Sequence, residues 1–368
     1  MTAPPPTAPA ILIEEDHFLK IVPVILDPST SPAHRQAVAD FFAHDVPDFE
    51  GWCAGLRARL PGLFPARVSL VSNAAGLREA IAGADAVVVE SLVVDRGALD
   101  AATRLRIVHK FGAVAGNVDA AACRERGIEI AILPRRVNVA VAEQCFALML
   151  ALAKRVCALD GLVERSRLEA AGYSIRPRAG AFVGYSNFAR VAGLKTLQGA
   201  TLGIVGLGEI GREVARRAAA FDMRTLYFQR RRLDAATEDA LGAQHVPLHE
   251  LMAQSDYVVV QLPLNDGTRG IIDRAALVRM KPGALLINCA RAELVDHGAL
   301  CDALDAGRLG GLGLDVGYAE PADPDDPLLR QRGRGRVILM PHTAVGGREN
   351  ALFDLECLCV NLWRSLVR

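Results

Sequence analysis

The sequence lacks an excess of charge of either sign. Of its 368 residues, 42 are Lys or Arg and 42 are Asp or Glu, so the formal net charge at pH 7 is zero. The composition therefore predicts no partnership with nucleic acid and none with an anionic membrane surface. Half of the residues are apolar and 23% are charged, as in an ordinary globular protein. The length corresponds to about two domains of roughly 150 residues each.

Long hydrophobic runs and paired cysteines are also lacking. The best candidate for a membrane run, residues 145–153, is about half of the roughly 20 residues that span a bilayer. The first ten residues, MTAPPPTAPA, have no basic region before an apolar core and predict a disordered leader, not a secretion signal. The eight cysteines form no CxxC pair and have no histidine at zinc spacing. They predict buried, reduced thiols, no metal site and a cytoplasmic location.

Short β-branched runs instead alternate with amphipathic stretches along most of the chain. In the first third, strands are predicted at residues 21–26, 68–71, 86–90 and 105–110, with helices at 33–43 and 75–82. A second series of strands is predicted at residues 201–205, 224–228, 257–261, 284–288 and 312–316. This alternation is typical of βαβ units with a parallel sheet. Two series predict an α/β protein with two doubly wound parallel-sheet domains.

Three further stretches complete the pattern. A long helix is predicted over residues 138–156 with Asn138 as its candidate N-cap, and a C-terminal helix over residues 348–366. Between them, residues 160–198 are rich in Gly, Arg, Ser and Tyr and predict no regular structure. A segment of that length inside a compact protein usually has a functional or partner-binding role.

A glycine motif marks a dinucleotide site. Gly206, Gly208 and Gly211 form GxGxxG directly after an apolar strand and at the start of an amphipathic helix. In that context the glycines permit a tight turn, close approach of a pyrophosphate, and close packing of helix on strand. The N–H groups near Glu209 and Ile210 would face the phosphates at the helix N-terminus.

The end of the following strand bears on the choice between NAD and NADP. A site selective for NAD usually has Asp or Glu there, to accept from the ribose hydroxyls. This chain has Gln229, Arg230, Arg231 and Arg232, so guanidinium groups that could hold a 2′-phosphate replace the carboxylate. The pattern favours NADP over NAD, with a solvated basic start of the next helix as the alternative.

Four stretches carry a resemblance to a known family. They are HKFGAVAGNVD, LLINCARAELVD, LGLDVGYAEP and MPHTAVGG, in that order along the chain. Over residues 105–350 the chain resembles the D-isomer-specific 2-hydroxyacid dehydrogenases. The resemblance implies a Rossmann domain, residues 133–337, inserted into a flavodoxin-like substrate domain, residues 20–132 plus 338–368, after a partly disordered leader, residues 1–19. It also implies hydride transfer between NAD(P) and C2 of a small 2-hydroxy or 2-oxo acid.

The resemblance also implies roles for single residues. Arg291 in NCARAELVD matches the arginine that binds the substrate carboxylate and polarises the C2 oxygen. His342 in MPHTA matches the acid–base histidine, and Glu320 in YAEP matches the carboxylate that pairs with it and fixes its tautomer. Asp315 matches an aspartate near the nicotinamide amide. The other cofactor-binding candidates in this part of the chain are Pro263, Cys289, Ala290 and His342.

The substrate domain is expected to contribute a loop whose backbone N–H groups face the substrate carboxylate. The candidates are Ser91, Lys110, Phe111, Gly112 and Ala113. The loop departs from the usual family pattern, as do Ala292 after the catalytic arginine, where glycine is usual, and Gln144, where histidine is common. These departures leave the substrate open among glyoxylate, hydroxypyruvate and similar small 2-oxo acids.

Two alternatives remain from the sequence. One is a non-catalytic dinucleotide-sensing regulator, and the other is a phosphite or formate dehydrogenase of the same fold. Glu320 argues against the formate branch, which has glutamine beside its histidine. The resemblance further implies a homodimer formed through the cofactor domain.

Overall fold

The structure is a computed structural model that describes residues 8–175, 186–331 and 335–368. The chain divides into two units. The first consists of residues Met1–Val139 and Val345–Arg368, and the second of residues Ala140–Ala344. The second unit therefore interrupts the first in sequence.

The first unit is built on a five-stranded parallel sheet with the order β2-β1-β3-β4-β5. Its strands are β1 (Ala10–Glu14), β2 (Arg67–Val71), β3 (Ala86–Val89), β4 (Ile107–Lys110) and β5 (Glu129–Ile132). This is the flavodoxin-like strand order. Alternate residues of β1 are buried in different clusters, Ile11 and Ile13 in one and Leu12 in the other. Both faces of the sheet are therefore covered, as is usual for a parallel sheet.

The second unit is built on a seven-stranded parallel sheet with the order β12-β11-β10-β9-β6-β7-β8. Its strands are β6 (Thr201–Val205), β7 (Arg224–Phe228), β8 (Ala243–His245), β9 (Tyr257–Val260), β10 (Leu285–Asn288), β11 (Gly311–Leu314) and β12 (Val337–Leu339). This is the Rossmann order with one additional strand, and it confirms the predicted α/β fold class.

Helices connect the strands of both sheets. They are α1 (Val22–Leu26), α2 (Pro32–Phe42), α3 (Phe49–Arg59), α4 (Ala74–Ala80), α5 (Arg96–Ala101), α6 (Ala120–Glu125), α7 (Arg136–Ala153), α8 (Val156–Leu159), α9 (Arg165–Ala170), α10 (Glu209–Ala220), α11 (Ala235–Leu241), α12 (Leu248–Gln254), α13 (Arg274–Arg279), α14 (His297–Asp305), α15 (Pro327–Arg330) and α16 (Glu349–Leu366). Short 3₁₀ turns lie at Leu19–Ile21, Ile81–Gly83 and Ala292–Leu294.

The structure corrects two predictions near the N-terminus. Residues 21–26 were predicted as a strand but lie in a 3₁₀ turn and in α1, whose five residues are all buried. A short apolar run that is buried all round has no periodicity that separates helix from strand. The first strand of the sheet is instead β1, which lies within the predicted leader, so the leader prediction is wrong for residues Ala10–Glu14. Residues 1–7 of the leader lie outside the described residues.

The remaining strand predictions are confirmed to within two residues at each end. The unpredicted strands β5, β8 and β12 are each at an edge of a sheet. Edge strands are short and partly exposed, so they carry a weak apolar signal. In the segment of residues 160–198, α9 is helical, and residues 176–185 lie outside the described residues.

Helix α7 begins two residues earlier than predicted, and its N-cap prediction is wrong. Asn138 lies inside the first turn. The first N–H groups, those of Arg136 and Val137, donate to the carboxylate of Asp354 at 2.7 and 3.3 Å. Asp354 lies in α16, 218 residues after Arg136, so no local pattern could reveal this cap. By length and composition α7 could cross a membrane, but 56% of it is buried inside the protein.

The cysteines are free thiols in this structure. Six of them are buried, Cys357 is half-buried and Cys157 is exposed. Exposure of Cys157 departs from the prediction of burial, because α8 that carries it has no buried residue.

His109 makes the stability of the first unit depend on pH. It lies in β4 with no exposed surface, its Nε2 atom pairs with Nδ2 of Asn361 at 3.1 Å, and its Nδ1 atom is buried without a partner. Burial lowers the pKa of His109 to about 4. Between pH 6.5 and 4 the unfolded histidine binds a proton that the folded one does not. This contribution to stability is therefore complete above pH 6.5 and decreases as the pH falls.

We predict that the free energy of unfolding of the first unit decreases by about 3 kcal/mol between pH 7 and 4 through this group. Urea titrations monitored by tryptophan fluorescence measure this free energy of unfolding, because Trp52 and Trp363 both belong to the first unit. His109→Gln retains an acceptor for Asn361 and should flatten that part of the pH profile. An unchanged profile in this variant would assign the pH dependence to other groups.

Candidate functional site

The glycine motif forms the turn between β6 and α10. Gly206 has φ +103°, and a Cβ atom there would overlap the carbonyl of Gln261. A Cβ atom on Gly211 would overlap the carbonyl oxygen of Gly206, whereas one on Gly208 would meet no protein atom within 4 Å. Gly206 and Gly211 are thus required by the protein's own packing. Gly208 leaves open space in front of the helix.

The N-terminus of α10 fits a dinucleotide pyrophosphate. Gly208 is its N-cap and no side chain caps it, so the N–H groups of the first turn, which contains Glu209 and Ile210, are not occupied by a side-chain cap. A helix of 12 residues presents a positive dipole end at this point. The residues therefore fit NAD(P), with the phosphates at the turn.

A pocket of about 610 Å³ lies beside this turn, at the carboxyl end of β7. Gln229, Arg230, Arg231 and Pro263 line it, so four cofactor-binding candidates share one pocket. Arg230 and Arg231 are exposed, and neither forms an ion pair with another described residue. The pocket wall thus offers two unpaired positive charges where a site selective for NAD has a carboxylate.

Arg232 has a different environment from its two neighbours. Its guanidinium donates to both carboxylate oxygens of Glu238, at 2.9 and 2.7 Å, and the hydroxyl of Tyr227 donates to the same carboxylate. These bonds lower the pKa of Glu238 to about 2. Arg232 therefore has a structural partner and does not line the pocket.

The turn after β10 positions Arg291. Asn288, the last residue of the strand, is fully buried, and its side chain accepts from the N–H of Ala290 at 2.9 Å and donates to the carbonyl of Arg291 at 2.8 Å. The backbone of Arg291 is thereby held, while its side chain is exposed. Asn288 was not predicted. Its signal was a polar residue at the end of the apolar run LLI.

Cys289 is buried in the same turn. Its thiol is in hydrogen-bond contact with the thiol of Cys145, to which the amide of Gln261 donates at 3.2 Å. The contact with Cys145 and burial raise the pKa of Cys289 far above its usual range. The side chain is therefore a neutral packing group, and only the backbone of Cys289 is available to a cofactor.

Glu320 and His342 form a pair. The Nδ1 atom of His342 lies 2.9 Å from Oε2 and 3.1 Å from Oε1 of Glu320. A carboxylate at Nδ1 fixes the proton on that atom and leaves Nε2, on the opposite side of the ring, for another partner. Both side chains are a little under half exposed, at 41% and 46%. A ligand therefore has access to this pair.

The charge of Glu320 is stabilised locally. Partial burial acts to raise its pKa, but the N–H of Gly317, His342 and the positive charge of Arg291 outweigh burial, so the pKa of Glu320 is lowered. The N–H of Gly317 donates to Oε1 at 2.9 Å. Glu320 is therefore ionised at neutral pH and can stabilise a protonated imidazole.

Asp315 holds the backbone that follows His342. It is fully buried, and its carboxylate accepts from Thr343 N at 3.0 Å, Thr343 Oγ1 at 3.2 Å and Ala344 N at 2.6 Å. His342 has φ +57°, in the left-handed region that residues other than glycine rarely occupy. Asp315 is thus in a position to maintain this conformation. The predicted contact with the nicotinamide amide stays a prediction.

In the first unit, the candidates Ser91, Lys110, Phe111, Gly112 and Ala113 follow or end β3 and β4, at the carboxyl edge of the sheet. The hydroxyl of Ser91 donates to Glu14, and the N–H groups of Glu90, Ser91 and Leu92 donate to the same carboxylate at 2.6 to 2.9 Å. The hydroxyl of Ser91 is therefore already occupied. Glu14 was not predicted, because it lies in the segment predicted as leader.

The loop after β4 has a different arrangement. Lys110 is buried, and its ammonium donates to the carbonyl of Glu90. Phe111 is buried as well, whereas Ala113 is exposed. In the described part of the chain, the N–H groups of Gly112 and Ala113 donate to no protein acceptor. The predicted contact of these N–H groups with the substrate carboxylate stays a prediction.

Comparison with known proteins agrees with this architecture. Residues 146–344 match the family described as D-isomer specific 2-hydroxyacid dehydrogenase, NAD binding domain. The chain is 37% identical to a glyoxylate reductase of Korarchaeum cryptofilum over 270 residues, which cover 73% of this chain and 75% of that protein. It is 37% identical to a glyoxylate reductase of Pyrococcus furiosus over 267 residues, 72% of this chain and 74% of that protein.

A solved structure agrees over nearly the whole length. The crystal structure of a glyoxylate reductase from Paecilomyes thermophila has a TM-score of 0.52 and 27% sequence identity, and the match covers 98% of this chain and 95% of that one. The family match and these relatives show that the chain belongs to the D-isomer-specific 2-hydroxyacid dehydrogenases, which are NAD(P)-dependent oxidoreductases acting on 2-hydroxy acids.

Proposed function

We propose that this protein reduces glyoxylate, hydroxypyruvate or a similar small 2-oxo acid at C2, with Arg291, Glu320 and His342 as its catalytic residues. The observation that carries the proposal is the Glu320–His342 pair, in which Nδ1 is held and Nε2 is left for another partner. The relatives named glyoxylate reductase support the choice of substrate.

Each of the three residues meets one need of the reaction. Bound NAD(P)H supplies the hydride that C2 accepts. The guanidinium of Arg291 binds the substrate carboxylate and polarises the C2 oxygen, which gains negative charge during reduction. Protonated His342 donates a proton from Nε2 to that oxygen, and Glu320 stabilises the protonated ring through Nδ1. In the oxidation direction, Nε2 accepts the hydroxyl proton.

We also propose that NADPH is preferred to NADH. The 2′-phosphate of NADP is a dianion near neutral pH, and Arg230 and Arg231 are the unpaired positive charges of the pocket at the end of β7. Gln229, in the place of a carboxylate, neither repels this phosphate nor accepts as strongly from the ribose hydroxyls of NAD.

By analogy with the family, we propose a cytoplasmic homodimer formed through the second unit. The apolar side chains of Val163, Phe188 and Leu194, which lie outside the two sheets, are exposed. Exposed apolar side chains of this kind support a surface that a second subunit covers.

We expect the purified protein to oxidise NADPH faster than NADH when glyoxylate, hydroxypyruvate or pyruvate is present. Loss of absorbance at the reduced nicotinamide band measures the rate for each pair. Absence of turnover with all three acids, while the dinucleotide still binds, would contradict the proposed substrate class.

We expect His342→Asn to lower kcat by about 100- to 10,000-fold, the usual contribution of general acid–base catalysis. The Kd of NADPH should stay within about twofold of wild type, since the asparagine removes only the proton donor. His297→Asn is a matched control, because His297 lies in the same unit and pairs with Asp326 at 3.0 Å. A similar loss in both variants would point to a structural effect.

We expect the double variant Arg230→Ala, Arg231→Ala to weaken NADPH binding by about 10- to 100-fold and NADH binding much less, because charged hydrogen bonds to the phosphate are lost. Titration of nicotinamide fluorescence gives both Kd values. Arg232→Ala is the control, since its charge is already neutralised by Glu238. Equal weakening of the two cofactors would disprove the phosphate contact.

A further inference from the structure

The turn after β7, residues 229–233, is held in place by side chains. In the described part of the chain, its N–H and carbonyl groups form no hydrogen bond with another backbone group. Instead, the side-chain amide of Gln229 donates to the carbonyl of Arg231 at 2.6 Å, and Nε2 of His245 lies 3.2 Å from the carbonyl oxygen of Gln229. The conformation of this turn therefore depends on its side-chain partners.

Tyr227 holds the far end of the turn. It is fully buried in β7, and its hydroxyl accepts from the N–H of Leu233 at 2.9 Å and donates to the carboxylate of Glu238 at 2.6 Å. Glu238 lies in α11 and is itself buried. One hydroxyl thus joins the strand before the turn, the last residue of the turn and the helix after it. Because its two partners would lose their hydrogen bonds together, this hydroxyl contributes more than a single bond.

The two arginines of the cofactor pocket lie between the held ends of this turn. Arg230 and Arg231 line the pocket of about 610 Å³ at the carboxyl end of β7, and both are exposed. A long exposed side chain loses conformational freedom when it binds a phosphate, and this loss opposes binding. A backbone that is already held at both ends lowers the entropic cost of binding.

We propose that Tyr227 is a positioning residue for cofactor selection, whose hydroxyl holds the turn so that Arg230 and Arg231 meet the 2′-phosphate of NADP. This inference rests on the proposed preference for NADPH. Tyr227 has no exposed surface, so it acts through the two arginines and not by contact with the cofactor. Arg232 is not required, because the bond between Tyr227 and Leu233 forms without it.

The test compares the Kd values of adenosine 2′,5′-bisphosphate and adenosine 5′-monophosphate, measured by isothermal titration calorimetry. These two probes differ only in the 2′-phosphate and have no nicotinamide, so their binding does not depend on hydride transfer. In the wild type we expect the bisphosphate to bind more tightly. Tyr227→Phe removes one hydroxyl and should weaken the bisphosphate by about 5- to 20-fold and the monophosphate by less than about twofold.

Tyr257→Phe is the matched control. Tyr257 lies in β9 of the same sheet and is buried, and its hydroxyl has no hydrogen-bond partner among the described residues. Loss of that hydroxyl should leave the ratio of the two Kd values unchanged. Hydrogen exchange provides a second readout on the folded protein. The N–H of Leu233 should exchange faster in Tyr227→Phe than in the wild type or in Tyr257→Phe, because its acceptor is gone.

A double-mutant cycle tests whether Tyr227 acts through the two arginines. In the background of Arg230→Ala, Arg231→Ala, the change Tyr227→Phe should weaken the bisphosphate no further, since the groups that it positions are absent. A further loss as large as in the wild-type background would show that Tyr227 acts by another route, and would overturn the inference.

The remaining outcomes separate the inference from the proposal on which it rests. If Tyr227→Phe speeds exchange at Leu233 but leaves the ratio of the two Kd values unchanged, the inference is wrong and the preference for NADPH stands. Equal weakening of both probes by Tyr227→Phe would mark a general structural effect and would also overturn it. A wild type that binds both probes equally would refute the NADPH preference itself.

Discussion

The buried carboxylate of Asp315 is the interaction on which the geometry of the candidate site depends. A charge without exposed surface is expensive, and here two backbone N–H groups and one hydroxyl, from Thr343 and Ala344, offset that cost. These bonds hold the chain immediately after His342, whose backbone has a positive φ angle. The imidazole consequently meets Glu320 through Nδ1 and presents Nε2 to a ligand. A change at Asp315 would therefore act on the histidine without touching it.

The parallel register of the second sheet brings distant residues to this site. Val205, Val260, Asn288 and Leu314 are paired across four neighbouring strands. The residues that follow them, Gly206, Gln261, Cys289 and Asp315, therefore start from one edge, although over a hundred positions separate the first from the last. Ligands of such sheets bind outside the carboxyl ends of the strands. The glycine turn, the loop that carries Arg291 and the aspartate that holds the chain after His342 thus start from one edge.

Adjacent arginines have different partners in this structure. Arg232 is neutralised by Glu238, whereas Arg230 and Arg231 remain unpaired in the pocket. Arg136 lies over Phe353 on one side of the α7 start, while Arg135 lies over Phe111 with an unsatisfied donor. In the first group, the location of the Glu238 carboxylate determines which guanidinium is already paired. Net charge, which is zero for this chain, carries none of this information.

The sequence by itself determined the fold class, the interior strands of the second sheet, strands β2 to β4 of the first, the glycine turn and the candidate residues Arg291, Glu320 and His342, because these depend on local periodicity and on short motifs. Only the tertiary structure decided the rest. The helical state of residues 22–26, the cap of α7 by Asp354 and the roles of Asn288 and Glu14 depend on partners that are buried or distant in sequence. A linear pattern reports which side chains prefer burial or a turn. It does not report which donor will meet which acceptor, because that pairing is set when the strands come into register and remote segments fold against them.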